Sequence, residues 1–127
     1  MAALMLCSGP SFCFAQEVRV GSKAFTESVI LGEIITHLAR HQGVTVHHHR
    51  QLGGTRILWE ALLAGEIDIY PEYTGTITNE ILSDLGLVTE KDLRGALDSR
   101  GLGMSGPIGF NNTYAIGILK ETSDKFG

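Results

Sequence analysis

Three tyrosines are the side chains in this sequence best suited to contact a cationic solute. They are Tyr70, Tyr73 and Tyr114, and Tyr73 stands in a short loop between Pro71 and Gly75. A ring on a loop at the end of a strand offers its face to a cation, at about 0.5–2 kcal/mol per ring. Each ring can instead pack in the core and hydrogen-bond through its hydroxyl. Packing is the preferred interpretation for Tyr70, whereas both interpretations stay open for Tyr73 and Tyr114.

A second set of residues is suited to bind a carboxylate. Lys23, Thr26, Thr55 and Thr76 lie at or near the starts of predicted helices, where hydroxyls and backbone N–H groups attract anions. Simple helix capping requires the same residue types at the same spacing. Capping is therefore the preferred interpretation on spacing alone.

The five histidines raise a metal-dependent enzyme as an alternative. His47, His48 and His49 are consecutive, and His37 and His41 lie four apart on the preceding helix. No glutamate completes an H-E-x-x-H pattern, and His48 points to the opposite side of a strand from its two neighbours. The pattern therefore favours a solvated strand edge, and the sequence predicts no metal, no cofactor and no catalytic group.

The elements that must position these residues alternate between strand and helix. Apolar residues at helix spacing between positions 30 and 38 predict a first helix that ends at Gly43. The other predicted helices span 56–64, 74–82 and 89–100, with Thr89 as the N-cap of the last, and the predicted strands span 17–21, 44–50, 67–70, 102–105 and 114–119. This alternation predicts an α/β fold with a parallel sheet flanked by helices. Ligands of such sheets lie beyond the carboxyl ends of the strands, here at loops 22–27, 52–55 and 71–76.

Composition narrows the class of protein. The chain is 43% hydrophobic and 19% charged, which is typical of a globular protein. Its net charge of -4 makes it a poor partner for nucleic acid or an anionic membrane surface.

The first fifteen residues are typical of an export signal. They carry no charge, contain a short apolar run and end in a small-x-small pattern at Ala15. The basic n-region is missing, so Met1 is interpreted as an internal start; a buried N-terminal strand or helix is the alternative. Cys7 and Cys13 both lie in this segment, so the mature chain contains no cysteine.

Four sequence blocks stand in order after Ala15: VGSKAFTES (20–28), QLGGT (51–55), AGEIDIYPEYTGT (64–76) and FNNTYAI (110–116). Together they resemble the periplasmic glycine betaine/choline/carnitine-binding proteins of ABC osmoprotectant importers. The resemblance covers essentially everything after the signal segment, and four blocks at the family's spacing make a specific signal.

The resemblance implies a fold and a role. The fold is the type II periplasmic-binding-protein-like α/β fold, in which two lobes close on a ligand. Residues 16–106 then form a nearly complete first lobe, and 107–127 form the crossover and the start of a second lobe that is only begun. The implied role is a non-enzymatic, soluble periplasmic receptor. Its ligand would be glycine betaine, choline, carnitine or proline betaine, and its partners a membrane permease and its ATPase subunit.

The resemblance also implies roles for particular residues. Tyr73 and Tyr114 contribute to an aromatic cage from the two sides of the cleft, and Lys23 and Thr76 contact the ligand carboxylate. Asn112 falls where some relatives place an acidic residue near the cation. Further ligand-binding candidates stand in the first two loops: Thr26, Gly54 and Thr55.

Two other roles use the same module. It occurs as a sensing domain in regulators and as a domain fused to a permease, and a truncated receptor without function is a third possibility. A DNA-binding helix-turn-helix or a membrane span would distinguish the first two, and neither is visible in these residues.

Overall fold

Strands and helices alternate along the part of the chain that the computed structural model describes, which is residues 17–109, 111 and 119–126. The predicted signal segment and residues 114–118 of the last predicted strand lie outside these residues. The strands and helices are β1 (Glu17–Lys23), α1 (Thr26–His41), β2 (Thr45–Gly53), α2 (Thr55–Leu63), α3 (Thr74–Thr76), α4 (Glu90–Asp98) and α5 (Lys120–Phe126). A π-helical turn at Ile77–Ile81 continues α3, and a 3-10 turn at Ser83–Leu85 follows it.

The two strands form a parallel sheet with α1 as their crossover. The pairing runs from Glu17 opposite Thr45, and a register shift precedes the last pair, Lys23 opposite Gly53. The third predicted strand lies parallel to β1 but is reduced to one bridge, from Val20 to Ile69. The predicted α/β class with a parallel sheet is confirmed, although the third strand is shorter than expected.

The predicted strand at 102–105 was wrong, because this segment has no strand pairing. The guanidinium of Arg94 on α4 donates to the Met104 carbonyl oxygen at 2.6 Å and to the Ser105 carbonyl oxygen at 3.0 Å. These are the acceptors that a neighbouring strand would need. The segment is therefore held against a helix by a side chain and not by a ladder of backbone bonds.

Helix α1 contacts the sheet through a row of small residues. Three residues one turn apart are buried against the strands: Ser28, Gly32 and Thr36. The larger apolar residues that predict this helix include three that are at least half exposed: Ile30, Ile34 and Leu38. The periodicity thus located the helix correctly, but many of the apolar side chains that define it face away from the two strands.

His48 on β2 is enclosed between α1 and β1. Its side chain is only 4% exposed, with Nδ1 at 2.7 Å from Glu33 Oε1 and Nε2 at 2.9 Å from Ser22 Oγ. Because the Glu33 carboxylate only accepts, Nδ1 carries the hydrogen. The hydrogen bond from His48, with a second from Arg50, holds the pKa of Glu33 below its usual value.

The expectation of a solvated edge therefore holds for two of the three consecutive histidines only. His47 and His49 are exposed, in agreement with strand alternation, whereas His48 is part of a buried hydrogen-bonded network. Among residues 17–109, 111 and 119–126, no group of three or more His, Cys, Asp or Glu side chains could hold a metal ion.

The main core lies between α2, the π-helical turn and α4. Its buried members are Trp59, Ile77, Leu82, Leu93 and Leu97. The turn includes a hydrogen bond from the Leu82 N–H to the Ile77 carbonyl oxygen at 2.8 Å, which is the i to i+5 spacing of a π-helix. Helix α4 begins with the predicted Thr89 cap, completed as a capping box by Asp92.

No helix in the described part of the chain is long and apolar enough to cross a membrane.

Replacing glycine with alanine is expected to have opposite effects on stability at Gly32 of α1 and Gly95 of α4. A Cβ at Gly32 would lie 2.5 Å from His48 Nε2, whereas a Cβ at Gly95 of α4 meets nothing within 4 Å. We expect Gly32→Ala to lower the free energy of unfolding by about 1–3 kcal/mol through overpacking. Gly95→Ala should raise it by about 0.5–1 kcal/mol through helix propensity. Urea denaturation measures both, and equal stabilisation by the two changes would contradict the close contact at Gly32.

Candidate functional site

A buried ion pair lies at the carboxyl end of the parallel sheet. Lys23 is the last residue of β1, and its Nζ lies 2.7 Å from Glu72 Oε1 and 3.1 Å from Thr55 Oγ1. The Lys23 and Glu72 side chains are 6% and 5% exposed. The pair therefore joins the end of β1, the first residue of α2 and the loop after the third predicted strand.

Backbone contacts explain why Lys23 reaches this position. Its own N–H donates to the buried Ser28 Oγ at 2.8 Å, which fixes the loop before α1. The next N–H, of Ala24, donates to the Gly53 carbonyl oxygen at 2.9 Å and holds the ends of the two strands together. Gly53 has φ +148, and a Cβ there would lie 2.5 Å from Ile57 Cδ1, so a larger residue would strain the backbone and displace the Ile57 side chain.

Burial and charge have opposing effects on Glu72. Burial raises the pKa of its carboxyl, while the hydrogen bond and the charge of Lys23 act to lower that pKa. Oε1 also accepts the Tyr73 N–H at 2.9 Å, so the carboxylate holds the backbone of the loop that carries Tyr73. Burial and the neighbouring Glu72 raise the pKa of Tyr70, so its phenol stays protonated at neutral pH.

The ion pair forms part of the wall of a cavity of about 460 Å³. Four aromatic side chains line this cavity: Phe25, Trp59, Tyr70 and Tyr73. Apolar residues of α1 and the segment 102–108 complete much of the wall. Lys23 Nζ lies 6.0 Å from the centroid of the Phe25 ring, so the cation also faces an aromatic surface. The cavity thus combines aromatic faces with buried charge, which suits a small solute that has both apolar and charged parts.

The structure brings together some of the residues singled out from sequence. Lys23 and Tyr73 both line the cavity, and Thr55 contacts Lys23 while lining a smaller cavity of about 70 Å³. Three others are not among the residues that line the larger cavity: Thr26, Gly54 and Thr76. The remaining two candidates, Asn112 and Tyr114, lie outside the described residues.

Sequence reasoning missed Phe25, Trp59 and Glu72. A signal for Glu72 existed, because a carboxylate between Pro71 and Tyr73 stands in a loop already assigned to the site. Phe25 likewise stands in the first of the three strand-end loops. Trp59 gave no signal, because helix periodicity does not distinguish a core residue from one that also borders a cavity.

An aromatic-lined cavity at the carboxyl ends of a parallel sheet defines a small-solute-binding domain of the α/β type. The chain belongs to the family described as the substrate-binding domain of the ABC-type glycine betaine transport system, whose model matches residues 16–127. A solved structure agrees with the fold: apo YehZ from Escherichia coli matches with a TM-score of 0.51 at 38% identity, over 68% of this chain and 29% of that chain.

Related proteins are named for binding or transporting small solutes. The glycine betaine-binding protein YehZ of Escherichia coli is 34% identical over 87% of this chain and 39% of its own length. The carnitine transport binding protein OpuCC of Listeria monocytogenes is 32% identical over 86% of this chain and 38% of its own length. The ergothioneine transport permease/ergothioneine binding protein EgtU of Helicobacter pylori is 34% identical over 84% of this chain and 20% of its own length. The chain thus spans 20–39% of the length of these relatives.

The contact between Lys23 and Thr55 can be tested without a ligand. Thr55→Val keeps the shape of the side chain but removes the hydroxyl that accepts from the buried ammonium. We expect the free energy of unfolding to fall by about 1.5–3 kcal/mol, as for other hydrogen bonds to charged groups. Thr45→Val, at an exposed position of β2, is the matched control and should stay within about 0.5 kcal/mol of the wild type. Equal effects of the two changes in urea denaturation would contradict a buried Lys23–Thr55 bond.

Proposed function

We propose that this chain supplies the ligand-binding first lobe of an exported receptor that captures quaternary-ammonium solutes for an ABC importer. The observation that carries this proposal is the cavity whose wall combines four aromatic side chains with a buried Lys23–Glu72 pair. Membership of the substrate-binding family supports the same role. In this proposal residues 16–106 form the first lobe, and 107–127 begin the second.

The chemistry of the cavity suits both ends of a betaine. Aromatic faces attract a methylated ammonium, which forms no hydrogen bonds and is cheap to remove from water. The Lys23 ammonium has three N–H donors, of which Thr55 and Glu72 use two. We assign the third to the ligand carboxylate. Tyr114 and Asn112 would act from the second lobe.

The receptor would act by closure and not by catalysis. A ligand that contacts both lobes shifts the equilibrium from the open to the closed form. The closed form would be the one that the permease and its ATPase subunit recognise. This role requires export to the periplasm, in agreement with the signal-like segment at 1–15.

A second candidate is a binding domain fused to its permease. It is favoured by one relative, EgtU, whose name combines a transport permease with a binding protein. Sequencing the gene on both sides of this reading frame distinguishes the two. Membrane-spanning segments in the same frame would favour the fusion, and a separate permease gene would favour the free receptor.

Ligand binding can be followed through Trp59, the single tryptophan of the chain, because it borders the cavity. We expect glycine betaine, choline or carnitine to change its fluorescence in a saturable manner. Titration with sodium chloride at the same concentrations is the control. An unchanged signal together with no heat of binding in calorimetry, both for this chain and for the same chain joined to a second lobe, would contradict the proposed function.

Tyr73 should contribute its ring and not its hydroxyl. Tyr73→Phe should keep most of the binding, whereas Tyr73→Ala should weaken it about tenfold, since a cation–π contact is worth about 0.5–2 kcal/mol. Tyr73 is only partly buried, so the melting temperature should change little. A large fall in melting temperature for Tyr73→Ala would instead assign the ring to packing.

A further inference from the structure

We propose that Glu72 sets the charge selectivity of the cavity by neutralising Lys23, so that the site accepts solutes with and without a carboxylate. The inference rests on the proposed function and deepens it. It assigns a role to a residue that acts on the ligand through the charge of its neighbour.

The charges on the cavity wall occur as two opposite pairs. The lining includes two cations, Lys23 and Arg94, and two carboxylates, Glu72 and Glu90. Arg94 Nη2 lies 2.7 Å from Glu90 Oε1, with both side chains more than a third exposed, so solvent screens this pair. Lys23 and Glu72 lie equally close but are almost fully buried. A Lys23 cation without its carboxylate would therefore act on a ligand with little screening.

Removing either partner should change the charge that faces the ligand. Glu72→Gln leaves the Lys23 cation without its carboxylate, which favours a ligand carboxylate and opposes a purely cationic ligand. Lys23→Gln removes the cation that lowers the pKa of Glu72, so burial favours the protonated carboxyl, and the variant loses its attraction for a ligand carboxylate. A change that merely displaces the loops would weaken both kinds of ligand together. The direction of the change in selectivity therefore separates a charge effect from a structural one.

The test compares choline, which is purely cationic, with glycine betaine, which carries a carboxylate. Binding to the 127-residue chain is measured by Trp59 fluorescence for the wild type and the two single variants. We expect the ratio of the two dissociation constants to shift by about tenfold toward glycine betaine in Glu72→Gln and about tenfold toward choline in Lys23→Gln. Lys23→Gln/Glu72→Gln, which also lacks the Lys23 cation, should keep the ratio of Lys23→Gln, because the effect of Glu72→Gln requires Lys23. Glu60→Gln, an equivalent change on an exposed position of α2, should leave the ratio unchanged.

A second measurement does not depend on quaternary ammonium binding. Relative to sodium chloride, sodium acetate should raise the melting temperature of Glu72→Gln more than that of the wild type, because the Lys23 ammonium without its carboxylate binds the anion in the folded state. General salt effects act on both proteins alike and cancel in this comparison.

The outcomes separate the two proposals. If the wild type binds neither choline nor glycine betaine, alone or joined to a second lobe, the proposed function is contradicted, while the acetate result still decides whether Glu72 masks Lys23. Unchanged or parallel affinities in the single variants would overturn the role of Glu72, as would an equal acetate effect on Glu72→Gln and the wild type. If one single variant fails to fold, the other single variant and the double variant are still compared with the wild type by the ratio of the two dissociation constants.

Discussion

The buried contact between Lys23 and Glu72 is the constraint on which the arrangement of this site depends. Two charges removed from water cost several kcal/mol each, and they are tolerated only when their attraction and additional hydrogen bonds offset that cost. Here the additional bonds come from the Thr55 hydroxyl and the Tyr73 N–H. Three loops that are distant in the sequence are therefore held in one arrangement, because separating them would leave an unpaired charge inside the protein.

The end of β1 connects this site to the rest of the fold. Ser22 and Lys23 are adjacent, and strand alternation sends their side chains to opposite sides of the sheet. Ser22 contacts His48 under α1, whereas Lys23 contacts Thr55 at the start of α2. Two buried polar networks thus meet at neighbouring residues, and the position of each helix is fixed by hydrogen bonds as well as by apolar packing.

Local patterns in the sequence predicted the features that depend on local interactions. Helix periodicity located α1, the predicted helix at 56–64 lies within one residue of α2 at either end, and the Thr89 cap located the start of α4. Strand-helix alternation predicted the parallel sheet, and therefore the edge at which Lys23 and Tyr73 now lie.

Features that depend on distant partners were not predictable in this way. The pairing of Lys23 with Glu72 crosses 49 positions and requires the register of the sheet. The segment 102–105 was predicted as a strand, but the reach of Arg94 decides its backbone partners. The burial of His48 depends on the absence of a side chain at Gly32, which no pattern within β2 reveals.

The π-helical turn at Ile77–Ile81 contributes Ile77 to the wall of the cavity. Such a turn contains one residue more than a regular helical turn. Each helical residue accounts for about 100° of rotation, so the loss of one residue here would change which side chains of the turn face the cavity. Gains and losses of single codons at this turn would let descendants of one gene diversify the outline of the binding site while the aromatic rings and the ion pair stay the same.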